Sequence, residues 1–359
     1  MLAVTGSTGS AGVLTITSKV AGNIGEDVTV KMKLRDTQTS TETCTGATTY
    51  TALSGASADP DLTNALAAIQ GTEYAFITAT LSNADVATVA STNNVNRIDD
   101  HIATYNSGLS AKLQQWCIGY TGSISSAVAT AADADSGNNS QVGQLVCCVN
   151  GRGLPCQLAG REIGGMLKAY SLDPAANRIG ELFDGYEGSG DVNADRPTAA
   201  ESESAIGGGV SLISYTPQGA LIMMRPITTH SLDSTGGVDR RLLDIQNVVA
   251  TYIVARDIRS ALPQEFAGAK ISPDLEAGDD PLPPGVTEER DIKAFCISRL
   301  RFWQRKGVVD RASLDTAVTE GTLIVQVNES DPTQVDIILP FSIVQPLAKM
   351  GVVVQRVPN

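Results

Sequence analysis

Apolar and polar positions alternate with period two in VLTITSKVAGNIGEDVTVKMKL, where Leu14 and Ile16, then Val28, Val30, Met32 and Leu34, fall on one side of an extended chain. That spacing, with many β-branched residues, predicts strands with one wet face. The polar, Thr-rich stretch RDTQTSTETCTGATTYTALSGASADP reads as loop or edge strand. A small β-rich unit is therefore expected over residues 1–55.

The rhythm changes at Asp59-Pro60. ADPDLTNALAAIQG carries an Asp cap and apolar Leu62, Leu66 and Ile69 at helical spacing, and EYAFITATL then reads as a buried strand. Val86, Val89, Ile98 and Ile102 continue in a helical rhythm, followed by the strand KLQQWCIGY, the helix SISSAVATAADAD and the strand QLVCCVN. Regular alternation of strand and helix implies right-handed crossovers and a mostly parallel sheet.

A further helix is expected over 157–170, and a polar segment with a short helix in DPAANRIGELF. Residues 184–204 read as a surface loop or helix lead-in, ALIMMRPITTH as a strong strand, and RRLLDIQNVVATYIVARDIRSAL as the longest amphipathic helix. The latter places Leu242, Ile245, Val249, Tyr252 and Ile253 on one face. Together these elements define an α/β core over 56–271.

ISPDLEAGDDPLPPG, rich in proline and acid, cannot be helix or central strand and is expected as a linker over 272–285. The last unit, 286–359, opens with a helix that Thr287 can cap. Glu288 and Glu289 lie at its start and Arg299, Arg301, Arg305 and Lys306 toward its end, matching the helix dipole. Ile292, Phe295, Cys296, Leu300 and Trp303 form its apolar stripe. TLIVQVNESDPTQVDIILP then predicts a hairpin turning at NESDP, and VVVQRV a closing strand. The expected fold class is mixed α+β and α/β multidomain: a core sheet with helices, a small β-rich domain, and a C-terminal helix plus β-hairpin.

Composition narrows the chemistry. The net charge of −13 disfavours a phosphate backbone as partner, since such binding needs clustered cations. No stretch reaches the roughly 18 apolar residues of a membrane span, and no standard secretion signal follows Met1. The six cysteines form no C-x-x-C pair; Cys147 and Cys148 sit in an apolar run and read as reduced core thiols, and an exposed Cys44 would offer a cross-link in an oxidising medium.

The opening TGSTGSAG spaces Gly6, Gly9 and Gly12 like a dinucleotide-binding turn, with Asp36 at a suitable distance for a ribose. Resemblance to a short-chain dehydrogenase would make the chain an NAD(P)-binding enzyme. That reading needs a helix where β-branched LTITS stands, and a Tyr-x-x-x-Lys that occurs nowhere. The glycines are instead expected in loops. His101, on a polar helix face, reads as solvated and His230, at a strand end, as structural. Neither catalytic residue, cofactor nor metal is expected, and the carboxylates of DLEAGDD read as an exposed linker.

The stretch MMRPITTHSLDSTGGVDRRLLDIQNVVATYIVARDIRSAL, followed by VTEERDIKAFCISRLRFWQRKGVVD and the VNESDPTQVDIILP hairpin, resembles the tail sheath protein of contractile-tailed bacteriophages. The likeness covers roughly 140–359 well and the first third loosely. It implies a non-enzymatic virion subunit, assembled in the host bacterial cytoplasm, that polymerises as stacked hexameric rings around an inner tail tube. Its partners would be further copies of itself, the tube protein, and baseplate and tail terminator proteins, without nucleic acid or membrane insertion. Contraction would drive the tube through the host envelope, the 1–55 unit would lie outermost, and 272–285 would act as a hinge. The family carries an amino-terminal arm ahead of the β unit, where this sequence begins.

The physics of a lone hairpin fits such a role, because two strands are marginal in water and their edges leave N–H and C=O groups unpaired. Strand addition between subunits is therefore expected at Leu323, Val325, Val327, Val335, Ile337 and Leu339, and at the closing Val352, Val353, Val354, Gln355, Arg356 and Val357.

Overall fold

The computed structural model describes residues 59–70, 72–87, 93–106, 114–131, 139–272 and 283–346, with the backbone of 4–8 and 14–18. The chain divides into two compact units, Met1–Gly165 with Arg178–Leu243, and Met166–Asn177 with Asp244–Asn359.

At the start, β1 (Val4–Thr8) and β2 (Leu14–Ser18) pair antiparallel, with Gly6 opposite Ile16. The chain doubles back here, where a dinucleotide turn would run into a helix and a parallel crossover. Gly6 lies within a strand, contrary to its expected place in a loop. Gly9, Gly12, Asp36, Cys44 and the strand expected at 28–34 lie outside the described residues.

The first unit continues through α1 (Thr63–Ile69), β3 (Phe76–Ile77), α2 (Asn83–Val86), α3 (Asn94–Tyr105), β4 (Gln115–Tyr120), α4 (Ile124–Ala131) and β5 (Gly143–Cys147). Then come α5 (Pro155–Leu172), whose residues from Met166 on belong to the second unit, α6 (Ala199–Gly207), β6 (Val210–Tyr215) and β7 (Leu221–Met223). The strands form one sheet in the order β3-β4-β5-β6-β7, parallel through β6, with β7 antiparallel at the edge. Every residue of β4, β5 and β6 is buried, as expected for strands covered on both faces.

Several elements differ from the periodicity reading. The helical rhythm through Val86 and Ile102 splits in two, because Ser82 Oγ accepts from Asp85 N (3.1 Å) to start α2 and Asn93 Oδ1 accepts from Asn96 N (2.8 Å) to start α3. DPAANRIGELF forms turns rather than a helix, and its Leu182 bridges Ile222. ALIMMRPITTH leaves the ladder after Met223, shortly before Pro226, which has no N–H to give. The hydrophobic pattern marks no element at VSLISY, yet it is β6, an interior strand of the sheet.

One face of the sheet holds the first core, where Ile98, Ile102, Trp116, Ile118, Ala127, Leu145 and Leu212 are buried together. Trp116 lies flat on Gly143, where an added Cβ would sit 2.1 Å from the indole. The indole Nε1–H donates to Asp99 Oδ1 at 2.6 Å, and Ser140 Oγ–H donates to the same oxygen.

The opposite side is ordered by a buried ionic network. Arg178 and Glu162 on α5 form a two-pronged pair (2.8 and 3.0 Å) with side chains 2% and 0% exposed. Gln144 on β5 donates to Glu162 (3.0 Å) and to Ser211 Oγ on β6 (3.1 Å); Ser211 accepts from Ile227 N and donates to Ile227 O. Gly165 is required beside this pair, since a Cβ there would meet Arg178 Nη2 at 2.5 Å.

The second unit contains α7 (Ile245–Glu265), β8 (Lys270–Ser272), β9 (Val286–Glu288), α8 (Glu289–Arg305), α9 (Arg311–Thr319), β10 (Ile324–Val327) and β11 (Val335–Ile338). Its core joins Ala250, Val254 and Ile258 of α7 to Ile292, Cys296, Leu300 and Trp303 of α8. Helix α7, placed with the α/β core by the sequence pattern, thus belongs with the C-terminal unit. Its buried face runs through Val254 and Ile258, with Tyr252 and Ile253 only half-buried.

Residues 273–282 of the expected linker lie outside the described residues, but its flanks pair as a parallel ladder, Lys270 with Val286 through Ser272 with Glu288. Both flanks belong to one unit.

Candidate assembly surface

Helix α8 is the scaffold of the C-terminal hairpin. Its start differs from expectation: Thr287 lies in β9, and Glu288 is the N-cap, its N–H donating to Asp291 Oδ2 (3.2 Å). Acidic Glu289 and Asp291 at the first turn and Arg305 at the last complement the dipole. Of the expected stripe, Ile292, Cys296, Leu300 and Trp303 are buried, and half-buried Phe295 meets Phe266 edge to face at 5.6 Å.

Polar contacts fix α8 on both sides. Asp257 of α7 accepts from Arg299 and, at 2.9 Å, from the Trp303 indole N–H. Arg301 pairs with Asp315 on α9, a helix the hydrophobic pattern did not reveal. A cap signal was available: Asp310 Oδ2 accepts from Ser313 N at 2.8 Å, and Leu314 and Ala317 supply the buried side.

The hairpin packs on this scaffold with Ile324 opposite Ile338, Val325 opposite Ile337, Gln326 opposite Asp336 and Val327 opposite Val335. Glu289 at the start of α8 accepts from Val327 N at 2.7 Å, which pins the turn end of the hairpin to the helix N-terminus. The turn falls at NESDP as expected. Asn328 Oδ1 accepts from Ser330 N and Asp331 N, and Asp331 Oδ1 accepts from Thr333 N.

The side chains singled out for strand addition divide by burial. Leu323 and Val325 are buried in the second core, and Val335, Ile337 and Leu339 pack against it, with Val327 half-buried. They hold the hairpin to its own subunit. The outward row is Ile324, Gln326, Asp336 and Ile338, with Ile324 38% and Ile338 56% exposed. Sequence alternation contained this division, but only the packing of α8 says which face is inside. Among the described residues no third strand pairs with β10 or β11, although on the β10 edge the Val327 N–H is taken by Glu289. Val352, Val353, Val354, Gln355, Arg356 and Val357 lie outside the described residues.

Other candidate chemistry resolves into structure. His230 is buried, its Nε2 3.2 Å from Asp239 Oδ2; bonds from Arg241 foremost hold the Asp239 carboxyl well below the usual carboxylate range. His101, expected in solvent, is half-buried and leans on Tyr105 with ring centroids 4.7 Å apart. Cys117, Cys147, Cys148 and Cys296 are buried, and burial pushes the Cys148 and Cys296 thiols each up to about 11. Among the described residues, no group of three His, Cys, Asp or Glu side chains is placed to hold a metal.

A pocket of about 270 Å³ opens beyond the carboxyl ends of β4 and β5, lined by Ser123, Val149, Arg196, Glu201 and Ser204 among others. Its charged groups serve the local fold. Arg196 donates to Thr216 O (2.9 Å), and Glu201 accepts from Thr198 N (2.8 Å) in the cap of α6. No helix among the described residues is long and apolar enough to cross a membrane.

Neither a protein-family model nor a curated protein matches the chain. Among solved structures it is similar to a sheath tail protein from Desulfitobacterium hafniense, at 15% identity and a TM-score of 0.48, over 79% of this chain and 58% of that one. It is similar also to a sheath tail protein from Listeria innocua, at 14% identity and a TM-score of 0.48, over 86% and 72%. A chain of the anti-feeding prophage baseplate, from a six-fold symmetrised cryo-EM structure, aligns at 12% identity and a TM-score of 0.47, over 74% and 66%. The chain thus spans under two thirds of the Desulfitobacterium and baseplate chains.

Proposed function

We propose that the protein is a structural, non-enzymatic subunit of a contractile tail sheath. It polymerises in stacked rings around an inner tail tube, and its contraction drives that tube through a host envelope for genome delivery. The observation that carries this reading is the C-terminal hairpin, anchored on α8, with no third strand on either edge among the described residues and an exposed Ile324–Ile338 pair on its outward face. A neighbour's strand added to such an edge gains a ladder of main-chain hydrogen bonds at about 1 kcal/mol net each, and many joints along a helical lattice accumulate.

The sequence resemblance over 140–359 supplies the partners: further copies, the tube protein, and baseplate and terminator proteins in a virion tail. The hairpin edges and residues 352–357, which the sequence pattern marks as extended, are the proposed joints. The alternative of a dinucleotide-binding enzyme finds no support, because Gly6, the described glycine of its fingerprint, sits in β1, paired antiparallel with β2.

Electron microscopy of the purified chain tests the reading, with long hollow cylinders or ring stacks as the expected result. Truncation after Gly351 should leave a folded subunit that forms none. A small discrete oligomer whose melting rises with added NAD(P) would overturn the proposal.

A further inference from the structure

The C-terminal unit is electrically polar along α8. At the helix start, the hairpin turn held there by the Glu289–Val327 bond carries exposed Glu329 and Asp331. Glu289 and Asp291 in the first turn of α8 and Asp336 on β11 add acid at this end, where Arg290 is paired with Glu288 and Lys293 follows one turn on. At the helix end, Arg305 and Lys306 are exposed and make no ion pair among the described residues; Lys306 rests its Nζ over the Phe302 ring at 4.7 Å. The other charges there are already engaged. Arg301 and Arg311 both pair with Asp315, and the Asp310 carboxylate caps α9.

The two ends lie about 25 Å apart, from 17 residues at 1.5 Å rise. That exceeds the Debye length of about 8 Å at physiological salt, so neither end neutralises the other within one subunit. A chain of net charge −13 repels its copies unless opposite patches meet. One unit thus presents an acidic end and a basic end, the arrangement of a heterologous, head-to-tail contact.

We propose that the acidic hairpin turn at Glu329 and Asp331 docks on Arg305 and Lys306 at the α8 C-terminus of a second copy, setting the direction of assembly and making it salt-sensitive. This rests on the assembly reading above. It adds a specific contact, separate from strand addition at the hairpin edges.

The test uses the full chain and two variants, R305E/K306Q, which makes the helix end acidic, and E329K/D331N, which replaces the acid at the tip of the turn by a cation; Asn at 331 keeps the side-chain bond to the turn. Assembly is followed by light scattering and microscopy, and folding of each variant by its melting curve. Each variant alone is expected to assemble at least about tenfold more slowly than wild type at low salt, and an equimolar mixture of the two to recover. Wild-type assembly should slow similarly toward 1 M NaCl, where the Debye length is about 3 Å. Cylinders that form at equal rates from every variant and at every salt concentration overturn this contact alone. A wild-type chain that never associates overturns it together with the sheath reading.

Discussion

Replacing Arg178 by Met removes one half of the buried network in the first unit. The native pair is held by two bonds of 2.8 and 3.0 Å with both side chains essentially inaccessible, and Arg178 Nε also donates to Glu181 at 2.6 Å. Burial pushes the Glu162 carboxyl up and Arg178 opposes that shift, so the variant strands Glu162 with only Gln144 as donor. Breaking a buried pair from one side costs about 3–5 kcal/mol, most of it from the charge left behind. For a domain of this size each kcal/mol lowers Tm by about 2–4 °C. The double variant Glu162→Met with Arg178→Met leaves no orphaned charge and should recover at least about 2 kcal/mol relative to the single change. Urea and thermal unfolding of the wild type, both single variants and the double variant form the cycle. A loss below about 1 kcal/mol for Arg178→Met, or a double variant that loses the sum of the two singles, would refute the assignment of stability to this pair. On the proposed function the result matters further, because such a subunit would have to stay folded while its interfaces exchange, and this network ties α5 to β5 and β6.

The two faces of the hairpin should separate stability from assembly. Ile338→Asp changes an outward side chain and should shift stability by less than about 0.5 kcal/mol while blocking polymer formation, whereas Val325→Asp buries a charge in the second core and should unfold that unit; light scattering beside circular dichroism distinguishes them. Burial raises the Asp99 carboxyl above 3.8 despite the bonds from Ser140 and Trp116, so the folded state holds this proton more tightly than the unfolded chain. Its contribution is therefore largest at low pH and is lost as pH rises through 3.8 toward the folded value; Asp99→Asn should remove that component from the urea midpoint measured between about pH 3 and 6, and an unchanged profile would show that Asp99 does not carry it.

Much of the architecture is written in local pattern. Period-two runs give β2 and the hairpin, helical spacing gives α1, α3, α7 and α8, and the alternation after Asp59 gives a mostly parallel sheet. These succeed because one face of each element must be apolar, and the period of that face is set by backbone geometry alone. The misses lie where tertiary context overrides the local signal. VSLISY reads as an unremarkable apolar run, yet it is the strand that joins β5 to β7, and Pro226 cuts short the run that looked strongest.

The assembly surface divides the same way. The sequence by itself determined that a helix and a hairpin close the described chain, that they alternate apolar and polar, and that acid clusters at the turn and base at the helix end. Only the tertiary structure decided that α7 belongs with this unit, that Val325 and Ile337 face α8 while Ile324 and Ile338 face out, and that Glu289 pins the turn to the helix start. Those outcomes depend on which elements meet in space, and a residue's own neighbours in sequence carry no energy term for that choice.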